Sequence, residues 1–164
     1  MTMGQPKIRQ ATEADVEKIR EIAREAWRPI YDYFREQMGD DLWTREHPGD
    51  PLDRKADTVE KHFREHPDWG FVTELEGEVV AFCTYMLGEE GIGVIGNNAV
   101  DPAGQGKGIG TAQYEECLQR MRDAGMDYVK VQTGLDPTHA PARRAYEKVG
   151  FEAIRPSVQY YMEL

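Results

Sequence analysis

Residues 97–111 read NNAVDPAGQGKGIGT, with glycine at every second position from 104 to 110. The residues before the glycines, 92–100, have the apolar and β-branched composition of a strand. After the glycines the apolar spacing becomes helical, through Tyr114, Cys117, Leu118 and Met121. Gly125 stands where such a helix would end. The sequence therefore predicts a strand, a glycine-rich turn and a helix in direct succession.

A turn of this kind is suited to binding an anion. The first N–H groups of a helix lack internal partners, and the helix dipole adds partial positive charge there. Glycine lets a phosphate approach the backbone because it has no Cβ, and Lys107 adds a full positive charge. A flexible turn with no ligand is the alternative interpretation at this point.

The spacing of the glycines excludes two common phosphate-binding patterns. The dinucleotide pattern G-x-G-x-x-G does not occur, and the P-loop pattern fails because Gly108 follows Lys107 where Ser or Thr is required. A third pattern, Gln/Arg-x-x-Gly-x-Gly/Ala, fits the residues from Gln105 to Gly110. With a strand before it and a helix after it, this motif resembles the acetyl-CoA signature of the GNAT family of N-acetyltransferases.

Composition limits the other classes of function. A chain of 164 residues favours one domain, here taken as residues 1–164. The formal net charge of -10 argues against a nucleic-acid partner, since such proteins present a basic surface. An acidic surface mildly favours a cationic amine substrate by steering, although it also arises for solubility alone.

The sequence predicts no metal site, disulfide framework or membrane segment. The two cysteines, Cys83 and Cys117, lie in apolar settings, and the histidines at 47, 62 and 66 have no zinc-binding spacing. No apolar run reaches ~18 residues, and the N-terminus lacks a signal-peptide pattern. We therefore expect a cytoplasmic protein without a membrane partner.

Periodicity predicts the remaining elements. A strand at 7–10 precedes a helix that begins at Thr12, with Asp15 in a capping box, and is interrupted at Pro29. Residues 39–55 are expected to be irregular before a helix that ends near Pro67. The other predicted elements are strands at 69–75, 78–86 and 128–133, a helix after Thr138, and a closing hairpin at 151–155 and 158–162.

This order of elements is similar to the GNAT family over nearly the whole chain. A second family-like motif runs from Ala142 through Tyr146 and Lys148 to Gly150-Phe151. His139 stands where the family commonly has Asn, and Ala145 where it often has Leu. The resemblance implies an α/β (α+β) protein with the GNAT acyl-CoA N-acyltransferase fold. That fold has a central mixed, mostly antiparallel, splayed sheet flanked by helices.

The resemblance also implies a site for acetyl-CoA as co-substrate. The pantetheine arm would pair with the backbone at Ala99 and Val100, and His139, Ala142 and Tyr146 would line the cofactor. The pyrophosphate would be held at Gln105, Gly106, Lys107, Gly108, Ile109, Gly110 and Thr111. The backbone N–H of Val100 is implied as the oxyanion donor. Tyr146 is implied as the general acid, and the alternative is that it packs its helix, because it also lies on the apolar face.

The base and the acceptor site are less well defined by the sequence. Glu74 is the best ionisable candidate for a base, but water-mediated proton removal is the working hypothesis. Asn97 and Asn98 cannot act as bases, though either could orient a water molecule. By resemblance, Trp27, Tyr31, Phe34, Glu74 and Asn97 are the candidate acceptor-site residues. The aromatic residues among them would serve equally well to pack a helix pair on the sheet.

The resemblance implies acetyl transfer from acetyl-CoA to a primary amine of a small molecule or peptide. A non-catalytic module that binds acetyl-CoA or a partner protein is the alternative. A homodimer is left open, and the sequence does not identify the acceptor.

Overall fold

The fold is an open five-stranded sheet with helices on both faces. The computed structural model describes residues 5–164. The elements in chain order are β1 (Lys7–Gln10), α1 (Val16–Met38), α2 (Asp40–Glu46), α3 (Pro51–Glu65), β2 (Gly70–Leu75), β3 (Glu78–Leu87), β4 (Ile92–Val100), α4 (Ile109–Asp123), β5 (Tyr128–Lys130) and α5 (Ala140–Lys148). The strands lie in the order β1-β2-β3-β4-β5. All neighbours are antiparallel except β4 and β5, which are parallel. The mixed, mostly antiparallel sheet predicted from the sequence is confirmed.

The core is divided by the sheet into two layers because strand side chains alternate between its faces. On the α1/α3 face, helix residues such as Ile22 and Val59 pack against Val72 and Phe82. On the α4/α5 face, residues including Cys117 and Tyr146 pack against the opposite side of the same strands.

The sheet opens between β4 and β5, as expected from the resemblance. The two strands pair only over Ile92–Val94 and Tyr128–Lys130. Beyond Val94, β4 continues to Val100 with no partner on that side among the described residues. This part of β4 is called the open edge. It leads directly into the glycine turn.

Two helix predictions need correction. Helix α1 continues through Pro29 rather than stopping there. The exposed ring faces solvent, and the packing of α1 on α3 holds the chain helical on both sides. Residues 39–55 are not irregular throughout, because α2 and the start of α3 lie within them. Asp50 begins α3 by accepting a hydrogen bond from the Leu52 N–H at 2.8 Å, and Pro51 occupies the first turn.

The predicted closing hairpin is wrong. Residues 151–164 contain no strand, and β5 ends at Lys130 instead of continuing to 133. The Phe151 N–H donates to the Tyr146 carbonyl at 3.1 Å. After that residue the segment is exposed. An alternating pattern marks a strand only if a sheet edge is available, and within this chain the segment has not paired with one. No helix in residues 5–164 is long and apolar enough to span a bilayer.

Candidate active site

The glycine turn presents free backbone N–H groups to solvent. Gly106 and Gly108 have φ of +75° and +77°, a left-handed conformation that disfavours side chains, and added Cβ atoms there would meet nothing within 4 Å. The first helix-type bond runs from the Ala112 N–H to the Gly108 carbonyl at 3.0 Å. The N–H groups of Ile109 to Thr111 therefore have no helical acceptor. The turn can bind an anion such as the pyrophosphate of acetyl-CoA.

The backbone of Val100 faces the open edge of β4. The next N–H, that of Asp101, donates to the Val80 carbonyl at 2.7 Å, on the β3 side. Peptide groups alternate in direction along a strand, so the Val100 N–H and C=O point the other way. The Gln105 side-chain amide donates to this carbonyl at 3.3 Å, which agrees with that direction. The Val100 N–H is thus directed at the gap between β4 and β5.

Tyr146 lies on the α4/α5 face in a buried network with Asn98 and Tyr114. The Asn98 Nδ2 donates to the Tyr146 hydroxyl at 3.0 Å and to the Gly96 carbonyl at 3.1 Å. The Tyr114 hydroxyl donates to the Asn98 Oδ1 at 2.8 Å. The two tyrosine rings stack with centroids 4.4 Å apart. Each end of the Asn98 amide is therefore fixed by a partner of the matching type.

This network determines which proton Tyr146 can give. Because its oxygen accepts from Asn98, the Tyr146 hydroxyl proton is free to be donated to another group. Burial raises the pKa of Tyr146, while the hydrogen bond from Asn98 acts to lower it. The net effect is a pKa above the ordinary tyrosine value, so the phenol is protonated at neutral pH. It can act as an acid and not as a base.

His139 is brought to the start of α5 beside α1. Its Nδ1 lies 2.6 Å from the Asp136 carboxylate, and its ring centroid is 6.4 Å from that of Phe34. Burial tends to raise the pKa of Asp136, but hydrogen bonds from Thr138 and His139 outweigh it and hold the pKa below the ordinary value. The carboxylate accepts at Nδ1, which leaves Nε2 as the nitrogen available to a ligand. Ala142, one turn along α5, packs against the α4/α5 core.

The predicted acceptor residues do not form one cluster. Trp27 and Asn97 are brought together on the α1/α3 face by Lys55, which contacts both. Tyr31 instead packs towards α2, with ring centroids 5.7 Å from Trp43 and 6.0 Å from His47. The structure thus places Trp27 and Asn97, but not Tyr31, in a common cluster beside the open edge.

Glu74 lies away from the open edge of β4. Its Oε1 is 2.6 Å from the Arg9 Nε, and Arg9 also pairs with Asp15. Strand β2 is separated from β4 by β3. The structure does not bring Glu74 together with Val100 or Tyr146.

Three residues of the site were not among the sequence candidates. Asn98 was considered only as a residue that could orient water, and Tyr114 only as part of a helical stripe. Lys55 carried no signal, because its partners are 28 and 42 residues away. Within residues 5–164, no three His, Cys, Asp or Glu side chains gather as a metal site.

Comparison with known proteins agrees with this geometry. The sequence profile of the Acetyltransferase (GNAT) family matches residues 17–151. The chain belongs to this family.

Individual relatives are similar at lower identity. A mycothiol acetyltransferase of Saccharomonospora viridis is 29% identical over 151 residues, which cover 89% of this chain and 38% of the relative. The chain thus spans about two fifths of the length of that curated relative. A GNAT family acetyltransferase from Brucella melitensis in complex with acetyl-CoA superposes with a TM-score of 0.62 at 22% identity, over 91% of this chain and 84% of the other. The PaiA N-acetyltransferase from Thermoplasma acidophilum, in complex with coenzyme A, gives 0.70 at 16% identity over 93% of each chain.

Proposed function

We propose that this chain transfers the acetyl group of acetyl-CoA to a primary amine of a small molecule or peptide. The main support for the proposal is that the Val100 N–H and the Tyr146 hydroxyl lie at the same stretch of β4, beside the glycine turn. The Val100 N–H faces the open edge of β4. The Tyr146 hydroxyl is held by Asn98, on the same stretch of strand, with its own proton free. One group suits a developing oxyanion and the other a leaving thiolate.

The residues present fit acetyl-CoA. The free N–H groups at the start of α4 suit the pyrophosphate, with Lys107 exposed beside them. The unpaired edge at Ala99 and Val100 suits the amide groups of the pantetheine arm, which can bond as a strand would. Two proteins of similar structure bind acetyl-CoA and coenzyme A in their complexes, which supports the same ligand here.

The reaction needs a nucleophile, an oxyanion donor and an acid. The amine nitrogen attacks the thioester carbon, and the carbonyl oxygen gains negative charge that the Val100 N–H stabilises. The C–S bond then breaks, its electron pair goes to sulfur, and Tyr146 gives its proton to the sulfur. The hydrogen bond from Asn98 stabilises the phenolate that forms, which brings the pKa of Tyr146 closer to that of a thiol. Water takes the proton released by the amine, and solvent reprotonates Tyr146.

The non-catalytic acetyl-CoA-binding module is the second candidate. The replacement of the usual Asn by His139, and the distance of Glu74 from the open edge, favour it. The similarity to mycothiol acetyltransferases favours an enzyme with a small-molecule acceptor. A cytoplasmic location and a single acetyltransferase domain over residues 1–164 stay predictions.

A homodimer is also part of the proposal. Six of the nine exposed large apolar side chains lie in the C-terminal segment 152–164, namely Ile154, Val158, Tyr160, Tyr161, Met162 and Leu164. Strand β5, whose Tyr128 is 73% exposed, has only β4 as a neighbour in the described chain. Each copy therefore offers both an alternating apolar segment and a free sheet edge. Mutual exchange of the segments would close a two-fold dimer.

The test of the enzyme is CoA release from acetyl-CoA across amines, amino acids, polyamines, aminoglycosides and peptides. We expect turnover with one acceptor class, reduced about 100-fold in Tyr146→Phe, as for loss of a general acid. Tyr85→Phe, which removes a tyrosine hydroxyl that donates to the Asp68 carbonyl and contacts no residue of the proposed site, is the control. Acetyl-CoA binding without turnover on any acceptor would favour the non-catalytic module.

A further inference from the structure

Lys55 differs from most partly buried basic residues of this chain in having no acidic partner. Its ammonium lies between two groups, 3.1 Å from the Asn97 Oδ1 and 4.7 Å from the centroid of the Trp27 ring. None of the ion pairs formed within residues 5–164 includes it. By contrast, Arg9 and Arg20 each contact two carboxylates. A cation without a counter-ion is unexpected in a chain with a net charge of -10.

The position of Lys55 relates it to the reaction centre. Asn97 lies in the unpaired part of β4, three residues before Val100. At about 3.3 Å per residue, the two positions are about 10 Å apart along the strand. The Asn97 side chain faces α1 and α3, since it contacts Lys55, whereas the next side chain, Asn98, faces Tyr146. Lys55 thus lies on the opposite face of the open edge from the acid.

The cluster can hold an anion. The Lys55 ammonium has three N–H donors, of which one is directed to the Asn97 Oδ1. With its Oδ1 turned to Lys55, Asn97 presents its Nδ2 as a second donor. This nitrogen has no partner within the described part of the chain. The Trp27, Lys55 and Asn97 side chains are all partly accessible to solvent.

We propose that Lys55 and Asn97 bind a carboxylate on the acceptor, several bonds from the amine that is acetylated. This inference rests on the proposed function and names its substrate class. The spacing along β4 disfavours α-amino acids acetylated at the α-amine, whose two groups are too close together. It favours a longer amino acid attacked at its terminal amine, or a short peptide with a free carboxylate. Polycationic acceptors are disfavoured by the charge of Lys55.

The test compares two probes that differ only in the terminal group, the carboxylate of 6-aminohexanoate and the uncharged carboxamide of 6-aminohexanamide. Binding of each to the complex of the protein with CoA is measured by calorimetry, so the readout does not need turnover. We expect the acid to bind about tenfold more tightly than the amide, because its carboxylate accepts charge-assisted hydrogen bonds. Equal affinity of the two probes, or no detectable binding of the acid, would overturn the proposal.

Variants test whether Lys55 causes the difference in affinity between the two probes. Lys55→Met keeps the length and apolar contact of the side chain, and we expect it to abolish the preference for the acid. Lys61→Met is the matched control, because Lys61 lies on the same helix, is 72% exposed and pairs with Glu65. A preference retained in Lys55→Met would contradict the assignment. If Lys55→Met does not fold, the comparison of acid and amide on the unaltered protein still decides.

The two proposals fail in different ways. Preferential binding of the acid without acetylation of any amine would contradict the proposed acetyltransferase activity and would still support an anion-binding site. Acetylation of both probes, bound with equal affinity, would contradict the carboxylate site and would still support the acetyltransferase activity.

Discussion

Asn98 is the residue through which the acid of the proposed reaction is held. Its amide accepts from Tyr114 and donates to Tyr146, so the direction of both hydrogen bonds is fixed. If the Asn98 amide were rotated by half a turn, its NH₂ group would face the hydroxyl donor of Tyr114, and its oxygen would face the accepting oxygen of Tyr146. Asn98 therefore acts through Tyr146 as a positioning residue and does not exchange a proton itself.

Replacing Asn98 by Ala should weaken the acid without removing it. Loss of the donated hydrogen bond raises the pKa of Tyr146, and a loss of about 1 kcal/mol lowers kcat roughly fivefold. The KM for acetyl-CoA should not change. Because only protonated Tyr146 donates, the alkaline limb of the kcat profile should move to higher pH. Steady-state kinetics as a function of pH checks both effects.

A double-mutant cycle separates positioning from a general structural effect. In a Tyr146→Phe background, Asn98→Ala should cause no further loss of kcat, because the group it acts on is gone. Gln119→Ala is the control, because this exposed amide side chain on α4 bonds, within the described residues, only to Asp123. Additive losses in the cycle would show that Asn98 does not act through Tyr146.

Some residues of the candidate site could be predicted from sequence motifs and others could not. The glycines, Gln105, Val100 and Tyr146 could be proposed from the sequence because the motifs that contain them are short-range. The contacts of Lys55 with Trp27 and Asn97 join three separate elements. No periodicity in one element records such a contact, and only the packing of α3 against α1 and β4 creates it. The same reason explains why Glu74 was a sequence candidate although β3 separates its strand from β4.

At the scale of elements, the glycine turn is the feature whose conformation is most demanding. Gly106 has φ of +75° with open space around it, so Ala at this position meets backbone strain rather than a clash. Gly49, in the loop before α3, has φ of +79° and is equally open. Replacing either residue by Ala should therefore cost a similar free energy of unfolding, about 1 kcal/mol. Only the first replacement lies in the proposed pyrophosphate site.

Elements with local signals were predicted better than those that depend on a partner. Strand β4 and the Glu76-Gly77 turn between β2 and β3 were predicted correctly, and both turn residues have positive φ. Helix α2 was missed because turn-forming residues surround seven helical ones, whose Trp43 is buried by tertiary contacts. Pro29 was expected to end α1, yet tertiary packing outweighs its local effect.

At the scale of the whole molecule, exposed apolar side chains are concentrated at one place. They lie mainly in residues 152–164, whereas the faces of the sheet are covered by helices. An exposed apolar segment of this kind marks an interaction surface. The sequence predicted strands here from their alternation, but alternation does not say which copy of the chain supplies the sheet edge.

We expect the protein to be a dimer at tens of micromolar. Light scattering coupled to size exclusion should give twice the chain mass of 18.7 kDa. The pair Val158→Glu and Tyr160→Glu should shift the equilibrium to the monomer, because it places charges in the exchanged segment. Glu152→Gln in the same segment is the control. A monomer mass for the unaltered protein would contradict the exchange.

We propose that the glycine turn binds acetyl-CoA through its backbone N–H groups. The most direct measurement is a calorimetric titration of acetyl-CoA into the unaltered protein, Gly106→Ala and Gly49→Ala. We predict one site per chain, an affinity reduced about tenfold or more in Gly106→Ala, and no change in Gly49→Ala despite the similar strain. No binding by the unaltered protein, or equal binding by all three, would contradict the account.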